Sequence, residues 1–127
     1  GEQQRAHLAR VLVQVWDPVN ADGARWLLLD EPVSSLDIAH QIEVMEIVAR
    51  YARAGGGVVA VMHDLNLTAV YADHVAILRD GRLRAAGAPG EVLTDAILSE
   101  VYGCKVRVGV APDDRRPFIL PHCAALA

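Results

Sequence analysis

The fold is decided by residues 26–32, which read Trp-Leu-Leu-Leu-Asp-Glu-Pro. Four successive apolar residues without alternation predict a short strand buried on both faces, which is typical of a parallel sheet. Two carboxylates, Asp30 and Glu31, follow at the carboxyl end of this strand, the edge where ligands bind in open α/β proteins. The same residues also fit a strand end followed by an acidic turn, so the pattern needs support from the rest of the chain.

Helices and further strands are predicted on both sides of this strand. The spacing of apolar residues predicts a helix over Glu2–Trp16 and a second over Ile38–Ala54, with a polar loop over 19–25. Val58–Met62 is a second apolar run without alternation, and it ends at His63. Strand, helix and strand in this order indicate an α/β fold built on a parallel sheet. The residues predicted for the buried face of the second helix are Ile38, Ile42, Met45, Ala49 and Ala52.

The second half of the chain predicts smaller elements. Asp64 can cap a short helix that ends near Tyr71, and Val75–Leu78 is a third apolar strand. The Asp80-Gly81 pair predicts a tight turn into a hairpin strand over 82–86. The elements expected further along are a loop over 87–90, a helix from Thr94 or Asp95 to Tyr102, and strands over 105–110 and 118–120.

Composition limits the class of protein. The chain has 127 residues, of which 53% are hydrophobic and 22% charged, with a net charge of −4. This size and apolar fraction suit one folded core and argue against disorder. The acidic balance, without a basic run, argues against a dedicated nucleic-acid binder. Cys104 and Cys123 lack a Cys-x-x-Cys spacing, which predicts ordinary thiols of a cytosolic protein.

Three more short motifs carry polar groups that suit phosphate chemistry. Ser34–Asp37 follows the first strand directly, and Asp37 can equally serve as the cap of the next helix. His63 ends the second strand at the same sheet edge as the two carboxylates, where an imidazole can hydrogen-bond a phosphate oxygen or a water. Gly1–Arg5 opens a helix, and the free N–H groups of a helix N-terminus bind anions. Each motif alone is weak, since a lone histidine is more often structural.

Taken in order, these four motifs resemble the ATP-binding subunit of an ABC transporter. Gly1–Arg5 resembles the end of the family's signature motif, with Glu2 where the family usually has Gln. Leu27–Pro32 resembles the Walker B strand, Ser34–Asp37 the D-loop, and His63 the switch histidine. Within the family, the chain most resembles haemin importer ATPases. The segments that carry this narrower resemblance are Asp17–Arg25, Val59–Ala69, Gly90–Thr94, Val101–Cys104 and Arg116–Pro121.

The resemblance implies a role for each candidate residue. Glu31 would polarise the attacking water and His63 would contact the γ-phosphate, so both are predicted to be catalytic, while Asp30 would help to hold Mg²⁺. The resemblance also implies a homodimer with two ATP molecules between its subunits, in which a second group of residues touches the nucleotide bound by the partner subunit. That group consists of Gly1, Glu2, Gln3, Ser35 and Asp37.

One expected motif does not occur in these 127 residues. The phosphate-binding loop, Gly-x-x-x-x-Gly-Lys-[Ser/Thr], needs a lysine, and Lys105, the only one, does not fit it. The chain also begins at Gly1 inside a predicted helix. We therefore expect the C-terminal part of a nucleotide-binding domain, which would be inactive alone. Its predicted parts are 1–86, which holds the motifs, and 87–127, which holds a C-terminal helix and a tail.

The fold expected for such a part is a partial P-loop NTPase, in which helices flank a parallel sheet whose central Walker A strand is missing. That strand would lie between 58–62 and 75–79, so both would lose a hydrogen-bonding partner. Unpaired backbone groups in a buried position cost free energy. We therefore predict an exposed apolar surface and a gapped or rearranged sheet in which these two strands are not paired.

The resemblance implies ATP hydrolysis coupled to import of haem (haemin) across the bacterial inner membrane. The partners would be a second copy of the subunit, membrane permease subunits and, indirectly, a periplasmic haem-binding protein, with no nucleic acid. The subunit would lie at the cytoplasmic face of the membrane. Three alternatives stay open at this point: an importer of iron–siderophore or cobalamin, a non-catalytic truncated remnant of such a subunit, and a soluble ABC ATPase of DNA repair or translation.

Overall fold

The computed structural model describes residues 2–14 and 16–121, which form two compact units, the first ending at His63 and the second beginning at Asp64. The first unit contains α1 (Glu2–Gln14), β1 (Val19–Asn20), β2 (Gly23–Ala24), β3 (Trp26–Asp30), α2 (Ile38–Arg53) and β4 (Gly57–Val61). The second contains α3 (Leu65–Tyr71), β5 (Val75–Arg79), β6 (Arg82–Gly87), α4 (Pro89–Val92) and α5 (Asp95–Tyr102). The predicted α/β class is confirmed.

The first unit is built around a parallel pair of strands. β3 and β4 are in register from Trp26 beside Gly57 to Asp30 beside Val61. Two parallel strands need a crossover connection, and α2 supplies it and packs against β4. The buried residues of α2 are Ile42, Val44, Met45, Val48 and Tyr51.

Local chemistry sets both ends of α2. At its start, Asp37 Oδ1 accepts a hydrogen bond of 2.9 Å from the backbone N–H of His40, as the cap of a helix does. At its end, Ala54 is followed by Gly55 with φ of +98°, a conformation that glycine adopts without a side-chain penalty. The predicted helix over 38–54 is therefore confirmed to within one residue.

The buried face of α2 differs from the predicted one. Ile42 and Met45 are buried as expected, but Ile38 is exposed, and the face is centred on Val44 and Val48. Ile38 lies in the first turn and is 45% exposed, although Val33 and Leu36 of the preceding loop are buried.

The second unit is organised around a hairpin. β5 and β6 pair antiparallel across the Asp80-Gly81 turn, whose φ values of +51° and +69° are those that a type I′ turn requires. Asp64 caps α3 and Thr94 caps α5, as predicted. One buried cluster of this unit consists of Val75, Val92, Leu93 and Leu98, and Leu67 of α3 is fully buried as well.

Two predicted loops contain short elements instead. Residues 19–25 form the β1–β2 hairpin, and strands of two residues are too short to show a pattern in the sequence. Residues 87–90 lead into α4, which begins at Pro89, because proline suits the first position of a helix. The first helix is also shorter than predicted, since α1 ends at Gln14 and Trp16 lies outside it.

The strands predicted in the tail are wrong. Residues 105–110 are irregular, and the side chain of Ser99 in α5 takes the place of a strand partner, with its Oγ accepting from the Val106 N–H at 2.9 Å. Residues 118–120 are irregular as well. The apolar and β-branched residues of both segments suit a strand, but no strand of the described residues pairs with them.

β3 buries one face only. Leu27 is 1% exposed but Leu28 is 75% exposed, so the prediction of a strand buried on both faces is wrong for the described chain. On β4, Val59 and Val61 lie opposite Leu28 and Asp30 and are exposed as well. We call this side of the strand pair the exposed apolar face (Trp26, Leu28, Val59 and Val61). β4 and β5 belong to different two-stranded sheets. The predicted exposed apolar surface and the predicted lack of pairing between these two strands are therefore confirmed.

The structure divides the chain at His63 into two compact units. The predicted parts 1–86 and 87–127 divide it according to its motifs instead, and that division stays a prediction. Among the residues that the structure describes, no helix has the length and apolar character needed to cross a bilayer.

Candidate functional site

The carboxyl edge of the β3–β4 pair holds the candidate catalytic residues. Asp30 is the last residue of β3, and the backbone N–H of Glu31 donates to the Val61 carbonyl at 3.0 Å, extending the strand pairing by one more bond. Glu31 has φ of +49°, in the left-handed region that residues other than glycine rarely adopt. The chain therefore turns sharply at the point where the candidate catalytic side chains begin.

The structure brings Glu31 and His63 into direct contact. Glu31 Oε1 lies 2.5 Å from His63 Nε2, across the ends of two parallel strands. An ionised carboxylate only accepts hydrogen bonds, so the imidazole Nε2–H is the donor. His63 is exposed and Glu31 is partly exposed, and a ligand could approach both from solvent. Asp30 is exposed directly beside this pair in the sequence.

The fit of a divalent cation can be judged from the oxygen donors at this edge. In the described part of the chain, no group of three or more His, Cys, Asp or Glu side chains is arranged to bind a metal. Mg²⁺ is usually held by one or two carboxylates together with substrate phosphates rather than by an all-protein cage. The single exposed carboxylate of Asp30, at the end of β3, fits a site of that shared kind.

A second cleft gathers most of the residues predicted to touch the partner's nucleotide. Glu2, Ser35 and Asp37 line one cleft, together with Arg5, Leu36 and His40. Ser35 has φ of +62°, so the loop between β3 and α2 contains a second left-handed residue. Gln3 is exposed on α1, and Gly1 lies outside the described residues.

Asp37 has two partners in this cleft. It caps α2 through the His40 backbone N–H, and its Oδ2 lies 2.8 Å from His40 Nδ1. These hydrogen bonds from His40, of the backbone first and of the side chain second, hold the pKa of the Asp37 carboxyl below its ordinary value. Asp37 is thereby kept ionised, both as a helix cap and as a partner for the imidazole.

Two residues of this cleft were missed as site residues by the sequence analysis. Arg5 is part of the Gly1–Arg5 motif, but the sequence gives it no role. His40 is given no role because its spacing from other histidines does not suit a metal site. The structure places the Arg5 guanidinium 3.2 Å from His40 Nε2 and 3.6 Å from Glu43 Oε2. The spacing of three between Asp37 and His40 is the one signal in the sequence, because a cap and the third residue of its helix are neighbours in space.

Comparisons with known proteins agree with this fold. No family model matches the chain. It is 65% identical over 124 residues to the Hemin import ATP-binding protein HmuV of Roseobacter denitrificans, covering 98% of this chain and 48% of that protein. It is 56% identical over 126 residues to the protein of the same name from Rhizobium meliloti, covering 99% and 48%. The chain thus spans about half the length of the curated relatives it matches.

Solved structures give the same class. A putative metal-chelate type ABC transporter in an inward-facing conformation matches with a TM-score of 0.58 and 26% identity, covering 64% of this chain and 32% of that one. An ATP-binding cassette of an ABC transporter matches with a TM-score of 0.55, covering 62% and 33%; at 22% identity this likeness concerns the fold alone.

The fold and these matches point to one class: over the part that it spans, the chain is similar in sequence and fold to ATP-binding subunits of ABC transporters. Within this class, its similarity over nearly the whole chain is to hemin import ATP-binding proteins HmuV. Both levels of the resemblance stated from the motifs are confirmed.

Proposed function

We propose that this chain is part of the ATP-hydrolysing subunit of an importer that carries haemin across the bacterial inner membrane. The observation that carries the proposal is the 2.5 Å contact between Glu31 Oε1 and His63 Nε2 at the carboxyl edge of two parallel strands. The high identity to hemin import ATP-binding proteins supports the choice of cargo. Because the chain spans about half of those relatives, the activity belongs to the longer subunit.

In this proposal Glu31 and His63 act on the water that attacks the γ-phosphate. Glu31 polarises the water as a general base, and His63 donates from Nε2 to the γ-phosphate oxygens or to the same water. Their hydrogen bond supports the proposal, because it keeps both groups at the edge where the phosphates would bind. The imidazole can exchange its carboxylate partner for a phosphate oxygen without leaving this edge.

Asp30 is proposed to hold the magnesium ion that accompanies ATP. When bound with the nucleotide, Mg²⁺ neutralises charge on the β- and γ-phosphate oxygens. Asp30 supplies one hard carboxylate oxygen for it, directly or through its water shell, while the remaining ligands come from the phosphates, from water and from residues outside this chain.

The second cleft is proposed to face the nucleotide of a partner subunit in a homodimer. Glu2 and Gln3 at the start of α1, with Gly1 directly before them in the sequence, would contribute backbone N–H groups to the γ-phosphate, since a helix N-terminus attracts anions. Ser35 and Asp37 would meet the same nucleotide from the adjacent loop. The shared cleft of Glu2, Ser35 and Asp37 supports this grouping.

The described residues do not provide a complete nucleotide site. The Gly-x-x-x-x-Gly-Lys-[Ser/Thr] loop that would cradle the phosphates is not in the 127 residues. We expect no measurable ATP binding by this chain alone. If there is no subunit longer than this chain, the alternative is that the chain is a non-catalytic remnant. In the longer subunit, hydrolysis would release the dimer and change the access state of the permease at the cytoplasmic face of the membrane.

The cargo is tested by reconstitution. The full-length subunit and its membrane permease are placed in liposomes with a haem-binding protein, and ATP hydrolysis and uptake are measured. We expect ATP-dependent uptake of haemin, with no uptake of a ferric siderophore or cobalamin at equal concentration. Uptake of those compounds instead of haemin would refute the cargo and keep the ATPase.

Purification of the full-length subunit from its own cells tests the enzyme class. Co-purification of the subunit with the permease, together with haemin-stimulated ATP hydrolysis, is the expected result. Co-purification with ribosomes or DNA-repair complexes, without a permease, would favour the soluble ABC ATPase. No ATP hydrolysis by the full-length subunit under any condition would refute the enzymatic function.

A further inference from the structure

The strongest unassigned feature of the molecule is a chain of three side chains that connects α1 to the cap of α2. Arg5 lies on α1, Asp37 is the cap of α2, and His40 lies in the first turn of α2, between them. We propose that Arg5 and His40 are positioning residues that hold the start of α1 against the loop before α2. The inference rests on the proposed function, because it assigns a role to the cleft that would face the partner's nucleotide.

The donors and acceptors fix the form of the imidazole. A carboxylate only accepts hydrogen bonds and a guanidinium only donates them. Nδ1 of His40, 2.8 Å from Asp37 Oδ2, therefore carries the hydrogen, and Nε2, 3.2 Å from Arg5 Nη1, accepts. Neutral His40 in this one tautomer satisfies both neighbours, so the three side chains form a directed chain of hydrogen bonds.

Arg5 makes a second contact with the same helix. Its Nη2 lies 3.6 Å from Glu43 Oε2, one helical turn after His40. The planar guanidinium therefore bridges two positions of α2, which fixes rotation as well as distance between the helices. Arg5, His40 and Glu43 are all partly exposed, so these contacts contribute little to stability and mainly define geometry.

The chain of hydrogen bonds lies in the cleft that would touch phosphate. Arg5 and His40 line the same cleft as Glu2 and Ser35. Asp37 lines this cleft too, and it is both a member of the hydrogen-bond chain and a residue predicted to touch the nucleotide. If the start of α1 and the loop before α2 act on one nucleotide, their spacing must be kept to a fraction of an ångström, since a misplacement of about 1 Å can cost roughly 100-fold in rate. Exposed side chains that fix this spacing would act on turnover.

The test uses the full-length subunit in its permease complex. It compares two side chains that carry the same amide group but differ in length. In His40→Gln, the amide can donate to Asp37 and accept from Arg5, as the neutral imidazole does. His40→Asn carries the same amide on a shorter stem, and His7→Asn, at an exposed position of α1, is the matched control. We expect kcat to fall about tenfold in His40→Asn with KM for ATP within about twofold, while His40→Gln and His7→Asn keep more than about half of kcat.

Coupling between the two residues is tested by Arg5→Ala, His40→Asn and their combination. If the two act through one chain of hydrogen bonds, the double variant loses no more activity than either single variant. Additive losses would overturn the inference, as would unchanged kcat in His40→Asn or an equal loss in His40→Gln. An unfolding temperature matching the wild type in each variant excludes a loss of fold. A wild-type complex without ATP hydrolysis would instead refute the proposed function itself.

Discussion

The β3–β4 pair and the β5–β6 hairpin show two ways in which this chain makes a sheet. The hairpin joins its strands through the two-residue Asp80-Gly81 turn, and its unit has a core built from neighbouring residues. The parallel pair joins strands separated by all of α2 and leaves the exposed apolar face open to solvent. The pair with the incomplete environment is also the pair that carries Glu31 and His63.

This difference teaches that the two kinds of strand pair depend differently on covering residues. An antiparallel hairpin can face water on one side, and the paired Leu78 and Leu83 of β5 and β6 do so. Parallel strands are normally covered on both faces. Since the curated relatives are about twice as long as this chain, we infer that residues outside it cover the exposed apolar face in the longer subunit.

The largest effect expected from this comparison is on turnover. In the full-length subunit, Glu31→Gln should lower kcat for ATP hydrolysis by about 100-fold or more, because general base catalysis contributes roughly 10²–10⁴-fold. ATP binding should be retained. Glu91→Gln, in the second unit, is the control: the Glu91 carboxylate accepts from the Ala88 N–H at 3.1 Å, and an amide oxygen can do the same. Equal turnover in both variants would contradict the assignment of catalysis to the first unit.

A smaller effect is expected on stability, and its size should depend on the length of the protein. In this 127-residue chain, Leu27→Ala should cost about 2–5 kcal/mol of unfolding free energy. Leu28→Ala should change it by less than about 0.5 kcal/mol, because Leu28 is 75% exposed. In the full-length subunit, we expect Leu28→Ala to cost about as much as Leu27→Ala.

Urea unfolding of both proteins measures these differences. The pair of leucines is a matched control, since the change is the same and only the covered face differs. A small cost for Leu28→Ala in the full-length subunit would mean that this face stays open there. Such a result would break the inference that the parallel pair is completed by other residues.

The smallest effects concern the helix caps of the two units. Thr94→Ala should lower the stability of α5 by about 1 kcal/mol at any pH, since a hydroxyl cap does not titrate. The cap of α2 should depend on pH, because hydrogen bonds from His40 lower the pKa of Asp37. Its contribution is present above the ordinary pKa of 3.8 and is lost as the pH falls through the lower pKa of the folded state.

Asp37→Asn separates the two properties of this cap. An amide oxygen can still accept from the His40 N–H, but it carries no charge that is lost in acid. Thermal unfolding between about pH 2 and about pH 6 should therefore show a smaller loss of stability in acid for Asp37→Asn than for wild type. The opposite order would mean that Asp37 is not held ionised by His40.

Much of this arrangement is predictable from the sequence, for a physical reason. The carboxyl ends of parallel strands meet at one edge, so the positions of Glu31 and His63 after two apolar runs already indicate that they lie close together. The Asp80-Gly81 turn and the Asp64 cap are likewise local, and their side-chain chemistry is enough to locate them.

The remainder depends on contacts that sequence patterns do not encode. Arg5 and His40 are 35 positions apart and meet only because α1 lies beside the start of α2. Leu27 is buried and Leu28 is exposed because burial of each face of β3 depends on which other elements cover it. An apolar run alone therefore predicts wrongly that both faces are buried. In the tail, residues 105–110 favour a strand, but they do not form one. The Val106 N–H donates to Ser99 Oγ instead of to a neighbouring strand.

The left-handed backbone of Glu31 has a consequence for how position 31 can evolve. A residue other than glycine held at φ of +49° costs of order 1–3 kcal/mol, and glycine would relieve that cost. Glycine at this position would therefore favour the fold but would remove the carboxylate. A glutamate held against the preference of its own backbone fits the trade-off between stability and activity expected of the side chain proposed to act on the attacking water.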